Sequence, residues 1–358
     1  MIKRAVSEGP EIPRWGSILL VTTFIIFILS VGAVEYTLKQ VIATLAMVET
    51  PSAAITVSPS EEQGPKDVKD GLVESGPSIT LVHQKPITSS IRGTIHHIVS
   101  IAGRFARWRG LLSFVLYSLS FSVVSGILKV IIPRFIPGRL IIVGAITAAS
   151  LANLHAAWTH KVVSMPSETR FFQRIPSRTY WKQLALPAAV EATAAYITVY
   201  IICGFAMLFR VSGQNPHSPS DYSGLQWTFL IFRIVSLFII ALACTLFLIL
   251  PAHVTLIRVE ASILPDDQNT IVPFDRTFGD KVVPRILGGT GCVGFVDAWR
   301  SFNWEARRRL LKLYVKVFLI ITALFIILAH VLAFEVWAIM GPAVGKFMAQ
   351  AKQNGILS

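Results

Sequence analysis

The chain has 358 residues, of which 53% are apolar and 15% charged, and its formal net charge is +13. Soluble domains carry about a quarter charged residues, so this composition argues against an ordinary soluble enzyme and for a bilayer. The basic excess reads as loops lying against anionic lipid headgroups, not as a nucleic-acid surface.

A membrane-crossing helix needs about 20 mostly apolar residues for about 30 Å of hydrocarbon. Six stretches qualify: 16–34, 111–132, 140–158, 184–208, 225–250 and 317–339. The predicted fold class is all-α and integral to the membrane, with six transmembrane helices and cytoplasmic amphipathic helices. The first stretch follows the tail 1–15, where Lys3, Arg4 and Arg14 resemble the start of a signal peptide. Its 19-residue length and the lack of a small-x-small close favour a retained span.

Residues 35–110 read as a linker followed by an interfacial helix. Within 49–90 the chain is rich in Pro, Ser, Gly, Glu and Lys, which predicts disorder. In "IHHIVSIAGRFARWRG", Ile95, Ile98, Val99, Ala102, Phe105 and Ala106 share one helical face, as in a helix lying at the interface. His96 and His97 are adjacent and point to different sides, so no metal site is predicted there.

The second span carries Ser118, Ser122, Ser125 and Lys129 at helical steps. The third carries the small-residue ladder Gly144, Ala148, Ala152 and Ala156, suited to close helix contact. A basic loop, 159–183, leads to the fourth span. The fifth is expected to end at Pro251, with Arg258 and Glu260 marking the water boundary. Residues 251–316 then form a loop punctuated by proline and glycine and an amphipathic helix. In "FVDAWRSFNWEARRRLLKLYVK" Trp299, Phe302, Ala306, Leu310, Leu313 and Val317 recur at steps of three and four. Arg300, Arg307, Arg308, Arg309 and Lys312 crowd the other faces. Such a helix binds lipid headgroups or packs onto the protein's own surface. The tail 340–358 follows the last span.

Ionisable groups inside spans are costly and are functional suspects by default. Toward the N- and C-terminal side lie Lys129, Arg233, His330 and Glu335; toward the long loops lie Asn153, His155 and Glu191. Arg233 and Glu335 share a depth of roughly 6–12 Å at 1.5 Å per residue, which predicts a pair. His155, Glu191 and His330 are the acid–base candidates. With only the ends of the first long loop counted (Lys39, Arg92, Arg104, Arg107 and Arg109), Lys and Arg number 19 on the side of the long loops against 8 on the other side. The positive-inside bias therefore places the loops in the cytoplasm and both termini outside.

No metal or cofactor is predicted. "GTGCVG" (289–294) matches a dinucleotide fingerprint in letters but lacks the strand and the downstream acid that the mechanism requires. Its glycines read as a turn that allows close approach. The acids Asp266, Asp267, Asp275 and Asp280 lie among prolines and read as a solvated loop. Three cysteines, Cys203, Cys244 and Cys292, show no C-x-x-C spacing.

At "LPAHVTLIRVEASILPDDQNTIVPFDRTFGDKVVP" and "DAWRSFNWEARRRLLKLYVKV" the chain resembles a family of fungal multi-pass membrane proteins often labelled ubiquitin carrier or ubiquitin-conjugating enzyme. The resemblance spans roughly residues 105–340. It implies a fungal source and a membrane fold and transfers no catalytic residue. Thioester chemistry does not fit: Cys292 sits in "GGTGCVGF", and no soluble segment is long enough for a conjugating domain. The sequence therefore points to a non-enzymatic membrane protein that transports a small molecule or scaffolds partners, in an endomembrane or the plasma membrane. The alternative is a membrane-embedded enzyme acting on a lipid-like or secondary-metabolite substrate.

Overall fold

A computed structural model of the chain describes residues 13–50, 53–58, 78–83, 85–210, 223–283 and 287–353. Most of the predicted tail 1–15, much of the predicted linker, the 211–222 loop and residues 354–358 lie outside that set. The chain divides into two units, Ile42–Arg309 and a second made of Met1–Val41 with Leu310–Ser358.

In the terminal unit, α1 (Arg14–Glu35) runs antiparallel to the distal part of the last helix. Gly16 faces Ile339, where an added Cβ would come within 2.6 Å, and Phe27 meets Phe325 edge-on at 5.5 Å. The Thr23 hydroxyl donates to Glu335 Oε1 at 2.7 Å. The first span does not stop at residue 34. A π-helical segment, Tyr36–Ile42, carries it into α2 (Ala43–Val48), giving a candidate span of 35 residues. The charges at its expected end do not break the helix, because Lys39 reaches Glu35 at 2.6 Å one turn away.

In the larger unit every residue of α2 is buried. The predicted linker contains an antiparallel ladder, β1 (Ala53–Ser58) with β2 (Ser78–His83), in the register Ala53↔His83 to Ser58↔Ser78. "AITV" and "ITLV" are rich in β-branched residues, which outweighs the polar composition around them. α3 (Ile91–Ala102) is capped by Ser90, whose hydroxyl accepts from Gly93 N at 3.1 Å. It buries Thr94 and Ile98, and His97 Nε2 bonds the Ile271 carbonyl at 3.0 Å.

α4 (Leu111–Ile131) starts after Gly110, which has φ 76° and leaves only 3.2 Å between a notional Cβ and Trp158. Two reasons, backbone angle and space, thus demand glycine at that point. α5 (Arg139–Ser150) and α6 (Ala152–Val163) correspond to the third span but meet at a 62° bend. The expected straight span 140–158 is therefore broken at Leu151, and His155 lies beyond the bend.

The small-residue ladder packs on α7 (Trp181–Leu208) rather than on the serine face of the second span. A Cβ at Gly144 would stand 2.2 Å from the Tyr196 ring, and Ala148, Ala152 and Ala156 share a core with Leu184, Ala188 and Ala192. Small side chains let the two backbones approach. The serines bond locally instead, Ser122 to the Ser118 carbonyl at 2.9 Å and Ser125 to that of Ser122 at 3.1 Å.

α8 (Gly224–Cys244) opens with a capping box in which Ser223 N donates to Gln226 Oε1 at 2.8 Å. A π-helical turn, Thr245–Ile249, joins it to α9 (Leu250–Ser262). Pro251 accordingly does not end the span. It sits in the first turn of α9, and the wide π turn before it relieves both the missing N–H and the ring's clash. The 39 residues from Gly224 to Ser262 rise about 58 Å, nearly twice the hydrocarbon thickness. α9 is buried in protein, so Arg258 and Glu260, at 4% and 0% exposure, do not mark a water boundary.

The glycine run after α9 does make a turn. Gly291 N donates to the Val283 carbonyl at 3.1 Å, and a Cβ at Gly289 would stand 2.1 Å from that oxygen. The predicted amphipathic helix divides: α10 (Phe295–Arg300) ends, and α11 (Trp304–Gln353) begins at an Asn303 cap whose Oδ1 accepts from Ala306 N at 2.9 Å. An asparagine that caps satisfies orphan amides better than one inside a helix, which explains the break. Among the described residues five helices are long and apolar enough to cross a membrane, and the bent pair α5–α6 would make six.

Candidate functional site

Four helices of the larger unit, α4, α6, α7 and α9, bring their polar side chains into one cluster. At its centre is Glu260, fully buried on α9. His155 Nδ1 lies 2.7 Å from Glu260 Oε1, and the Thr159 hydroxyl donates to Oε2 at 2.5 Å. His160 Nε2 bonds the Glu260 carbonyl at 2.8 Å. His155, Thr159 and His160 lie within two turns of α6, which lets one short helix reach both ends of the same residue.

Beside this contact the Tyr117 ring stands edge-on to His155 at 4.9 Å, and Trp158 lies 5.1 Å from it. Glu191 of α7 is 3.5 Å from His253 Nδ1, with 31% and 18% of their side chains exposed. The arrangement can hold protons between histidine and carboxylate. It pairs no hydroxyl or thiol with His155: the Thr159 hydroxyl goes to Glu260, and among the described residues no Ser, Thr or Cys side chain is hydrogen-bonded to a ring nitrogen of His155. No three His, Cys, Asp or Glu side chains among the described residues converge to hold a metal.

Two residues before Glu260, Arg258 is buried as well. Its Nε donates to Ala298 O at 3.0 Å, Nη1 to Met47 O at 2.9 Å and Nη2 to Ser301 Oγ at 3.0 Å. The guanidinium lies over the Phe278 and Phe302 rings at 4.9 and 5.4 Å. One cation thus closes the C-terminal ends of α2 and α10, where carbonyls lack helical partners. A second clamp joins Arg309 to Glu49 at 3.6 Å. The Glu49 carboxylate also accepts from Ile87 N at 2.5 Å and from Thr88 N at 3.1 Å.

The predicted residues fall into separate groups. His155 and Glu191 enter the cluster; His330 does not, because its Nδ1 bonds the Ile326 carbonyl of its own helix at 2.7 Å. Asn153 ties α6 to the chain ahead of α7 through Pro176 O at 3.0 Å. Lys129 is exposed and Arg233 half-buried, while Glu335 is engaged by Thr23. Of the five headgroup candidates, Arg300, Arg308 and Lys312 are exposed. Arg307 stacks on Trp299 at 4.1 Å and donates to Phe302 O, and Arg309 turns to Glu49. Sequence reasoning missed Glu260, Arg258, His253, His160, Thr159 and Tyr117. The signal for three of them was present: His253, Arg258 and Glu260 follow an apolar run without a helix breaker other than Pro251.

The acidic loop holds no cluster. Asp266 faces Arg276 at 3.5 Å, and Asp275 accepts from Thr277 Oγ1 at 2.7 Å and Gly279 N at 2.9 Å. Partial burial works against the Asp275 carboxylate, but those hydrogen bonds and the field of Arg258 hold its pKa below the ordinary value. Comparisons of the chain with protein-family models, with curated proteins and with solved structures found no match.

Proposed function

We propose that the protein is a non-enzymatic, six-pass membrane scaffold in which α2, α6, α9 and α10 form a cytoplasmic collar that is a fixed platform. The observation that carries this reading is the saturation of two buried charges on α9, Arg258 and Glu260. Glu260 has both carboxylate oxygens engaged, and Arg258 spends every nitrogen on two other parts of the chain, the end of α2 and the end of α10. Groups locked in this way hold a shape; a transport path needs polar groups free to exchange partners with a solute. In this proposal the bent pair α5–α6 supplies the sixth crossing, the long loops face the cytoplasm as the 19-to-8 basic asymmetry suggests, and Arg300, Arg308 and Lys312 contact anionic headgroups. A fungal source belongs to the same proposal.

The test is substituted-cysteine accessibility in a background without Cys203, Cys244 and Cys292. Single cysteines at Ala156 and Ala192 should resist small, membrane-permeant methanethiosulfonates on either side of the membrane. Rapid labelling at both would reveal a water-filled path and favour transport. The enzyme reading draws on one observation, the partial exposure of Glu191 and His253. It would gain support if labelling were confined to positions beside that pair.

A further inference from the structure

A second polar site lies where α6 ends, away from Glu260. Arg174 is 4% exposed and has only neutral partners: Nη1 donates to Ser164 Oγ at 2.8 Å and Gln268 Oε1 at 3.4 Å, and Nη2 donates to Ser167 Oγ. Its Nε is buried with no partner. Arg109 donates to the carbonyls of Lys161 and Ser164, so Ser164 is gripped by one arginine at its carbonyl and by the other at its hydroxyl. The half-exposed Lys161 sits in the field of both guanidinium groups.

Among the described residues, no carboxylate forms an ion pair with Arg174 or Lys161. Glu168, on the same segment, is exposed. Burial without a carboxylate lowers the Arg174 pKa from its ordinary value. Holding a buried cation beside two others is unfavourable unless an anion joins them. The segment 165–170 is exposed and leaves a way in, with Ser167 and Thr169 hydroxyls 2.7 Å apart at its edge.

We propose that Arg109, Lys161 and Arg174, with the Ser167 and Thr169 hydroxyls, form a binding site for the phosphate of a phosphomonoester. A tetrahedral dianion matches guanidinium, ammonium and hydroxyl donors arriving from several directions, whereas a carboxylate would use only a planar subset. Arg109 stands two residues before the apolar helix α4. A phosphatidic acid headgroup and a free phosphate ester therefore offer the same chemistry at this position.

The experiment uses the full chain. In detergent, inorganic phosphate and glycerol 3-phosphate are titrated and binding is read by ³¹P NMR. In nanodiscs of phosphatidylcholine with and without phosphatidic acid, retained lipid is read by native mass spectrometry. Binding of the soluble probes indicates a free ester, and retention of phosphatidic acid alone indicates a lipid headgroup. Arg174→Gln and the half-exposed Lys161→Gln should each weaken binding about tenfold, as expected for loss of a charge-assisted contact. The exposed Arg134→Gln should leave it unchanged. Should Arg174→Gln fail to fold, Lys161→Gln decides. No binding of either probe type, or binding unaltered by Lys161→Gln, overturns the site.

Discussion

Replacing Glu260 by alanine removes the acceptor for two buried donors, the Thr159 hydroxyl and the ring N–H of His155. Each orphaned donor costs about 1–3 kcal/mol, and breaking a buried pair by deleting one partner costs about 3–5 kcal/mol in all. The residue is fully buried, so water does not restore the lost contacts. A unit of this size loses about 2–4 °C in Tm per kcal/mol, which gives a drop of about 6–20 °C for Glu260→Ala. Glu260→Gln should do much less harm. The amide oxygen still accepts from Thr159, and the amide N–H can donate to His155 once that ring changes tautomer. Loss of one charge-assisted bond leaves a cost of about 1–2 kcal/mol. Thermal unfolding of the detergent-solubilised chain, followed by thiol-reactive dye at the buried Cys292, measures both variants. If Glu260→Ala unfolded within 2 °C of the parent, or if the alanine and glutamine variants fell by the same amount, this cluster would not hold the collar. (The 2 °C limit is about 1 kcal/mol on the same scale.)

Gly144→Ala should destabilise the α5–α7 contact, because its Cβ meets Tyr196 at 2.2 Å. Adding Tyr196→Ala should recover part of the loss, and a more stable single variant in the same melt would contradict the packing. Asp275 has a depressed folded-state pKa, so its stabilising effect is complete above the unfolded value of about 3.9. The effect fades as pH falls through the folded value. Melts between pH 5 and pH 3 should therefore lose an acid-sensitive component in Asp275→Asn, and identical pH profiles would remove the role given to its hydrogen bonds. For orientation, a lone cysteine at the fully exposed Asp266 should react with an impermeant thiol reagent only after the membrane is opened. Labelling in intact cells or organelles would invert the proposed topology.

Hydropathy alone established that apolar helices dominate this chain, because about 20 residues are enough to register the demand of a bilayer. The candidate helices 14–48, 104–131, 178–208, 224–262 and 304–341 each contain a stretch read from the sequence. Capping chemistry at Ser90 and Ser223 is equally local, and so was open to reading. What lay beyond the sequence was where each helix stops being a membrane helix. Charge at Arg258 and Glu260 looks like a water boundary when solvation is the only known way to satisfy it. The structure satisfies it with Met47, Ala298, His155 and Thr159, which come from positions 40 to 211 residues away for Arg258 and about 100 away for Glu260. The buried helix Ala43–Val48 was hidden for the same reason: five apolar residues and a threonine after a charged pair say nothing about burial until α6 and α9 close around them. Local periodicity records how a helix meets its solvent; only tertiary contacts decide whether that solvent is lipid, water or the rest of the protein.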